Sequence, residues 1–217
     1  MHQLIRKIIM KKVHLVPSVM AGIKIAILFI LLSPLGAIAQ TAYKLASGKN
    51  NTIKVLGTSN VHDWTMTAKD IESTGTFKFN SKDELVAVNS LKFIVVAKSL
   101  KSEKSSMDTR TYKSIKADDF PKISYQLTNA EVTMIQANKY AIQTTGTLTI
   151  AGKTQSIAMK VTALVNADRS MSFHGTEKLM LTDYGIQPPS FMLGAMKVGN
   201  DLTITFDLNY NKTAIAK

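Results

Sequence analysis

His62, Asp63 and His174 are the side chains in this sequence best suited to metal or proton chemistry, and their spacing works against both. No His-x-His or His-x-x-x-His pair accompanies them, and a metal site needs three or more ligands, so no metal is expected. The sequence has no cysteine. That removes disulfides, thiolate metal sites, cysteine nucleophiles and the acylated N-terminal cysteine of a lipoprotein. A Gly-x-Ser-x-Gly elbow, a phosphate-cradling glycine loop and a carboxylate pair in a recognisable context are also missing. No catalytic residue and no cofactor is therefore expected. Two polar places stay open to two readings. Asp108 and Arg110 are either contacts for a polar headgroup or a helix cap and a solvated charge, and Tyr184 either shapes the turn before Gly185 or offers its hydroxyl to a ligand carbonyl.

What remains is apolar, and it is organised around residues 178–208, KLMLTDYGIQPPSFMLGAMKVGNDLTITFDL. On its last run Leu202, Ile204, Phe206 and Leu208 take one side while Thr203, Thr205 and Asp207 take the other, the period of a half-buried strand. Pro188 and Pro189 cannot donate to a sheet ladder, so the chain leaves the sheet before Phe191, Met192, Leu193 and Met196. Those side chains are expected to close a cavity between sheet faces.

The elements that would build the cavity begin after an N-terminal leader. Lys11 and Lys12 form a positive region, residues 25–32 are uninterruptedly apolar, and Ala37-Ile38-Ala39 is a small-residue cleavage pattern, so residues 1–39 are expected to be a signal peptide and Gln40 the mature start. An apolar core that short does not span a bilayer. The leader takes with it five basic residues (Arg6, Lys7, Lys11, Lys12, Lys24), leaving a smaller surplus than the +12 of the whole chain. Lysines scattered singly suit a solvated surface and transient contact with anionic membrane headgroups. Without a basic cluster or interleaved aromatics, nucleic acid is not an expected partner. The expected location is the periplasm, or the medium as a secreted protein. Residues 40–217 are enough for one domain.

Almost every segment of that domain reads as a strand with one apolar side. Residues 52–58 offer Ile53 and Val55, residues 61–68 place His62, Trp64 and Met66 on one face, and Gly75, Phe77 and Phe79 lead to a polar turn at 80–83. Residues 86–100 follow with Leu91, Phe93 and Val95 in phase and a bulge expected near Val95 and Val96. One helix interrupts: Ser105 with Asp108 reads as a capping box, Pro121 prevents continuation, and Met107, Thr111 and Ile115 form a narrow apolar stripe fit to lie across a barrel mouth. Strands resume through Ile123, Tyr125 and Leu127, through 132–135, and through 140–150. A hairpin at 151–154 returns Ile157, Met159, Val161, Ala163 and Val165, and Met171, Phe173, Leu179 and Leu181 follow a turn at 166–169. The polar tail from Asn211 is expected to fray. About eight to ten antiparallel strands make an all-β sandwich or closed barrel, and closure is the better solution because it removes exposed edges.

Three stretches resemble the YceI-like family of exported bacterial proteins: MDTRTYKSIKADDFPKISY over 107–125, GTLTIAGKTQSIAMKV over 146–161, and 178–208 with its TDYGI and PP segments. Met107 stands where many members carry Arg, and Val61-His62-Asp63-Trp64 where others have a different segment. The resemblance implies a lipocalin-like antiparallel β-barrel of about eight strands with one short helix, whose hydrophobic cavity binds polyisoprenoid lipids, including isoprenoid quinones, without catalysis. Partners implied are an isoprenoid lipid or quinone, and a homodimer is left open. The residues expected to contact the lipid are Trp64, Met66, Phe77, Phe93, Tyr125, Met159, Met180, Tyr184, Phe191, Met192, Met196 and Phe206. Apolar alternation by itself fits a filled barrel equally well. A structural or stress-response barrel without a stoichiometric ligand is therefore the alternative, and Trp64 reads equally as a core anchor or as a ring stacked on an isoprenoid.

Overall fold

The alternating runs pair as antiparallel strands in a computed structural model that describes residues 40–48 and 51–213. The leader expected over 1–39 lies outside the described residues. In chain order the elements are β1 (Gln40–Leu45), β2 (Thr52–Ser59), β3 (Trp64–Ala68), β4 (Ile71–Phe79), β5 (Leu85–Val96), β6 (Leu100–Lys101), helix α1 (Ser105–Ser114), β7 (Lys122–Gln136), β8 (Lys139–Ile150), β9 (Lys153–Val165), β10 (Met171–Met180), β11 (Ser190–Phe191) and β12 (Met196–Lys212). Their order is β1-β4-β5-β7-β8-β9-β10-β12, and β12 returns to β1 through Tyr43↔Lys212, Lys44↔Asn211 and Leu45↔Tyr210. The sheet is thus a closed ring of eight strands, a lipocalin-like barrel. Above β1, the same edge of β12 carries β2, which extends the wall through β3 and β6. The hairpin between β8 and β9 is as tight as its sequence suggests, with Ala151 and Gly152 both left-handed at φ 49° and 77°.

Three local expectations are corrected. The bulge expected near Val95 falls earlier in the same strand: β5 carries an extra residue at Asn89, between the pairs Thr76↔Ser90 and Phe77↔Val88, and another at Val86, between Lys78↔Ala87 and Phe79↔Leu85. At Val96 the chain turns a corner through a 3-10 turn (Ala97–Ser99), held by the Ala97 N–H bond to the Pro121 carbonyl at 2.8 Å. Ser105 does not cap α1: Lys104 is the N-cap, with no side-chain cap bond, and Ser105 is the first helical residue. Asp108 turns inward because the loop before the helix folds beneath it, and its carboxylate accepts the Ser102 backbone N–H and hydroxyl, both at 2.7 Å. Finally, Asn211 and Lys212 are not frayed but paired, since β1 presents a free edge to them, and the Thr213 N–H reaches the Ala42 carbonyl at 2.9 Å.

The base of the barrel, where β1 closes the ring, is solid. Phe77 stacks on Phe173 at 5.6 Å, Tyr43 meets Phe77 edge-on at 5.2 Å, and Tyr210 meets Phe173 edge-on at 5.2 Å. Each tyrosine there has a partner. The Tyr43 hydroxyl donates to the Arg169 carbonyl (3.0 Å), Tyr210 donates to the Ser73 hydroxyl (2.6 Å), and the Tyr140 hydroxyl accepts the Leu85 N–H (3.1 Å). Phe77, Tyr140, Ala163 and Met171 have no exposed surface. This plug anchors the strands whose upper halves form the site.

Candidate functional site: an apolar cavity in the upper barrel

Above the plug the same strands keep their phase but their inward side chains no longer meet. Leu91 and Phe93 on β5, Leu148 and Ile150 on β8, Ile157 and Met159 on β9, and Leu202, Ile204 and Phe206 on β12 all face inward, yet each is only half-buried. They line a cavity of about 500 Å³. That volume lies within the roughly 300–1,000 Å³ of small-molecule sites. Phe77, Phe173 and Tyr210 form its floor, and α1 lies at its upper end, contributing Met107, Arg110, Thr111 and Ile115. The helix stripe read from the sequence therefore faces the lumen, and the Thr111 hydroxyl sits 3.3 Å from the Met66 sulfur.

Why the lumen stays open is visible in three glycine notches. A Cβ on Gly57 would stand 2.1 Å from the Trp64 ring, one on Gly146 would stand 2.4 Å from the Tyr125 hydroxyl, and one on Gly175 would stand 2.3 Å from the Phe206 ring. Each glycine lets a ring lie flat along the wall instead of projecting across the barrel. Trp64 is further fixed by its indole N–H bond to the Thr58 carbonyl at 3.1 Å. The three rings thus contribute apolar surface without filling the space they surround.

Of the residues singled out from the sequence, Trp64, Met66, Phe93, Tyr125, Met159, Tyr184 and Phe206 line the wall, Phe77 lies in the floor, and Met180, Phe191 and Met196 also border the cavity. Met192 does not. With Leu193 it forms the tip of the β11–β12 hairpin, in left-handed conformation (φ 54° for both) and 72% exposed. The hairpin needs those torsions to turn, and they aim both side chains outward. Phe191 instead packs its ring under the Arg110 guanidinium at 4.4 Å, joining the hairpin to α1. Asp108 is withdrawn from the lumen. Burial works against its ionisation, but the two Ser102 hydrogen bonds and the Lys101 ammonium at 3.6 Å more than offset that and hold its carboxyl below the ordinary range. His62 stands before β3, its Nδ1 2.8 Å from the Asp63 carbonyl oxygen, while His174 pairs with Asp207 at 2.7 Å on an exposed face.

The polar groups inside are few. Tyr125 and Tyr184 have buried hydroxyls without a hydrogen-bond partner. Burial raises the Tyr125 phenol and the nearby Thr144 hydroxyl counters part of that shift, while Thr144 itself donates to the Met159 carbonyl at 3.4 Å. Burial, with the charges of Asp183 and Glu177, pushes the Tyr184 phenol up to about 12. Tyr184 belongs to a 3-10 turn (Leu181–Tyr184) whose Asp183 carbonyl accepts the Gln155 amide at 2.6 Å. This turn packs where β9 and β10 part, because those strands pair only as far as Val161↔Gly175. Glu177 is a site residue that the sequence reading missed. It shares the inward phase of Phe173, Gly175 and Leu179 on β10, and a carboxylate in phase with apolar neighbours was the available signal. Among the described residues, no group of three or more His, Cys, Asp or Glu comes together to hold a metal ion.

Comparison with known proteins adds to this geometry. The YceI-like domain family matches residues 43–210. BcnA from Burkholderia cenocepacia is 15% identical with a TM-score of 0.59, over 73% of this chain and 95% of that one. A polyisoprenoid-binding domain from Saccharophagus degradans, implicated in plant cell wall breakdown, is 9% identical with a TM-score of 0.60, over 80% and 99%. A Campylobacter jejuni YceI protein is 16% identical with a TM-score of 0.51, over 79% and 89%. At these identities the likeness is one of fold. No functionally curated protein matches the chain.

Proposed function

Because the chain belongs to the YceI-like domain family, we propose that it is a polyisoprenoid-binding protein that holds an isoprenoid lipid or quinone in the upper barrel and performs no chemistry on it. The observation that carries this reading is the set of inward, in-phase apolar residues left half-buried around about 500 Å³ of space. A carrier has a large gradient to overcome. A chain of about forty carbons, at ~0.8 kcal/mol per methylene, would cost about 30 kcal/mol to expose to water, so unassisted passage is negligible. A dry wall matches the bilayer, and the flexible Met66, Met159, Met180 and Met196 side chains adapt to a branched tail. The leader pattern supports a periplasmic or secreted location. We assign transient membrane contact to the exposed Met192–Leu193 tip, with Lys197 nearby on the same hairpin to meet anionic headgroups.

Native mass spectrometry of the mature protein from its own host, followed by organic extraction, is expected to release one lipid per chain. Recovery of folded protein with no stoichiometric lipid overturns the carrier reading in favour of a ligand-free structural barrel. Phe191→Asp is expected to abolish retention with the fold intact, whereas Met192→Asp leaves retention unchanged, because only Phe191 borders the cavity.

A further inference from the structure

We propose that Glu177 and Tyr184 form a head-recognition site inside the cavity, one that takes an uncharged head bearing a hydroxyl, such as a prenyl alcohol or hydroquinone, and turns away phosphorylated prenols. The proposal rests on the lipid-binding reading above and specifies which lipids that cavity accepts. Among the described residues that line the cavity, Glu177 carries the only carboxylate. The alternation of β10 directs it inward between Gly175 and Leu179. It has no ion pair among the described residues. The lysine and arginine lining the cavity, Lys104 and Arg110, are exposed residues at α1, and Arg110 is engaged with the Phe191 ring.

Tyr184 supplies the second, independent observation. It is 3% exposed, borders the same cavity, and its buried hydroxyl has no partner. A buried hydroxyl left unpaired is a standing penalty that a ligand oxygen can remove. It is close enough to Glu177 for that charge to act on its phenol, which also stays protonated and able to donate. A hydroxyl head satisfies both groups at once, donating to the Glu177 carboxylate and accepting from Tyr184. A phosphate does the opposite. It brings a second anion beside Glu177 in a site of low polarity, and like charges repel most strongly where water does not screen them. Burial raises the Glu177 carboxyl above its ordinary value, opposed by the Lys178 backbone N–H, and a hydroxyl can pair with either protonation state.

The test titrates the full mature chain with geranylgeraniol and, separately, with geranylgeranyl monophosphate. Trp64, the single tryptophan and part of the wall, reports occupancy by fluorescence. Wild type is expected to prefer the alcohol by about tenfold, the scale of a hydrogen bond to a charged group. Glu177→Gln is expected to bring the ratio near one, mainly by admitting the phosphate. Tyr184→Phe is expected to weaken alcohol binding by about fivefold, the scale of one net hydrogen bond, without lowering the melting temperature. A wild-type protein that binds both lipids equally, or a ratio unmoved by Glu177→Gln, overturns the head site and leaves the carrier reading standing. If neither lipid perturbs Trp64 in folded protein, both fall.

Discussion

The base and the upper half of this barrel are built from the same strands with the same alternation, and they end in opposite states. At the base, Phe77, Tyr140 and Met171 are fully enclosed, and Tyr43, Tyr140 and Tyr210 each have a hydrogen-bond partner. In the upper half, residues in the same phase stay half-buried, and Tyr125 and Tyr184 keep hydroxyls with no partner. The difference lies in where the rings go. Phe77, Phe173 and Tyr210 cross the lumen and meet one another, while Trp64, Tyr125 and Phe206 lie along the wall over Gly57, Gly146 and Gly175. Stability is concentrated at one end so that the other can remain unfilled. A barrel that packed both ends would gain burial and lose its capacity for a guest.

The largest expected effect tests the solid end. Phe77→Ala removes the ring shared by Tyr43, Phe173 and Tyr210, and is expected to cost about 3–5 kcal/mol in urea unfolding. A loss under half of that would mean the plug is not what holds the ring of strands closed. Next, Gly175→Ala places a methyl where the Phe206 ring now lies and is expected to tilt that ring into the lumen. The cost in stability should be about 1–3 kcal/mol, with ligand binding falling further than stability does. Unchanged binding would show that the notch does not keep the cavity open.

The smallest effect concerns pH. The Asp108 carboxyl is held below its ordinary value in the folded chain, so its ionised form contributes stability in full above the unfolded-state pKa of about 4. That contribution fades as pH falls through the lower, folded value. Thermal melts between pH 7 and pH 2 should therefore show an acid-induced loss that is reduced in Asp108→Asn. An identical acid profile in the variant would remove Asp108 from the list of groups that fasten α1 to the loop at Ser102.

Much of the barrel was legible because its signals are short-range. The Ala151-Gly152 turn, the one-sided runs of β8, β9 and β12, and the helix ended before Pro121 all follow from neighbours within a few residues. Where the reading failed, the decisive partner was not the one that local spacing offered. Ser105 and Asp108 have capping-box spacing, but the loop at Ser102 offered Asp108 two donors. Met192 follows Phe191 in an apolar run, but the hairpin torsions turn it outward. Glu177 shares the inward phase of β10, a signal masked by the rule that a charge among alternating residues is ordinarily a solvated one.

The order of residues determined by itself which side of each strand is dry, since side-chain direction alternates regardless of what the strand later meets. It also favoured closure over a sandwich, because a closed sheet leaves no long edges open. Only the tertiary structure decided that the dry side encloses a space in the upper barrel and a packed plug at the base. That outcome depends on which glycine stands across from which ring, as Gly175 does from Phe206, and no period within one strand encodes a neighbour on another.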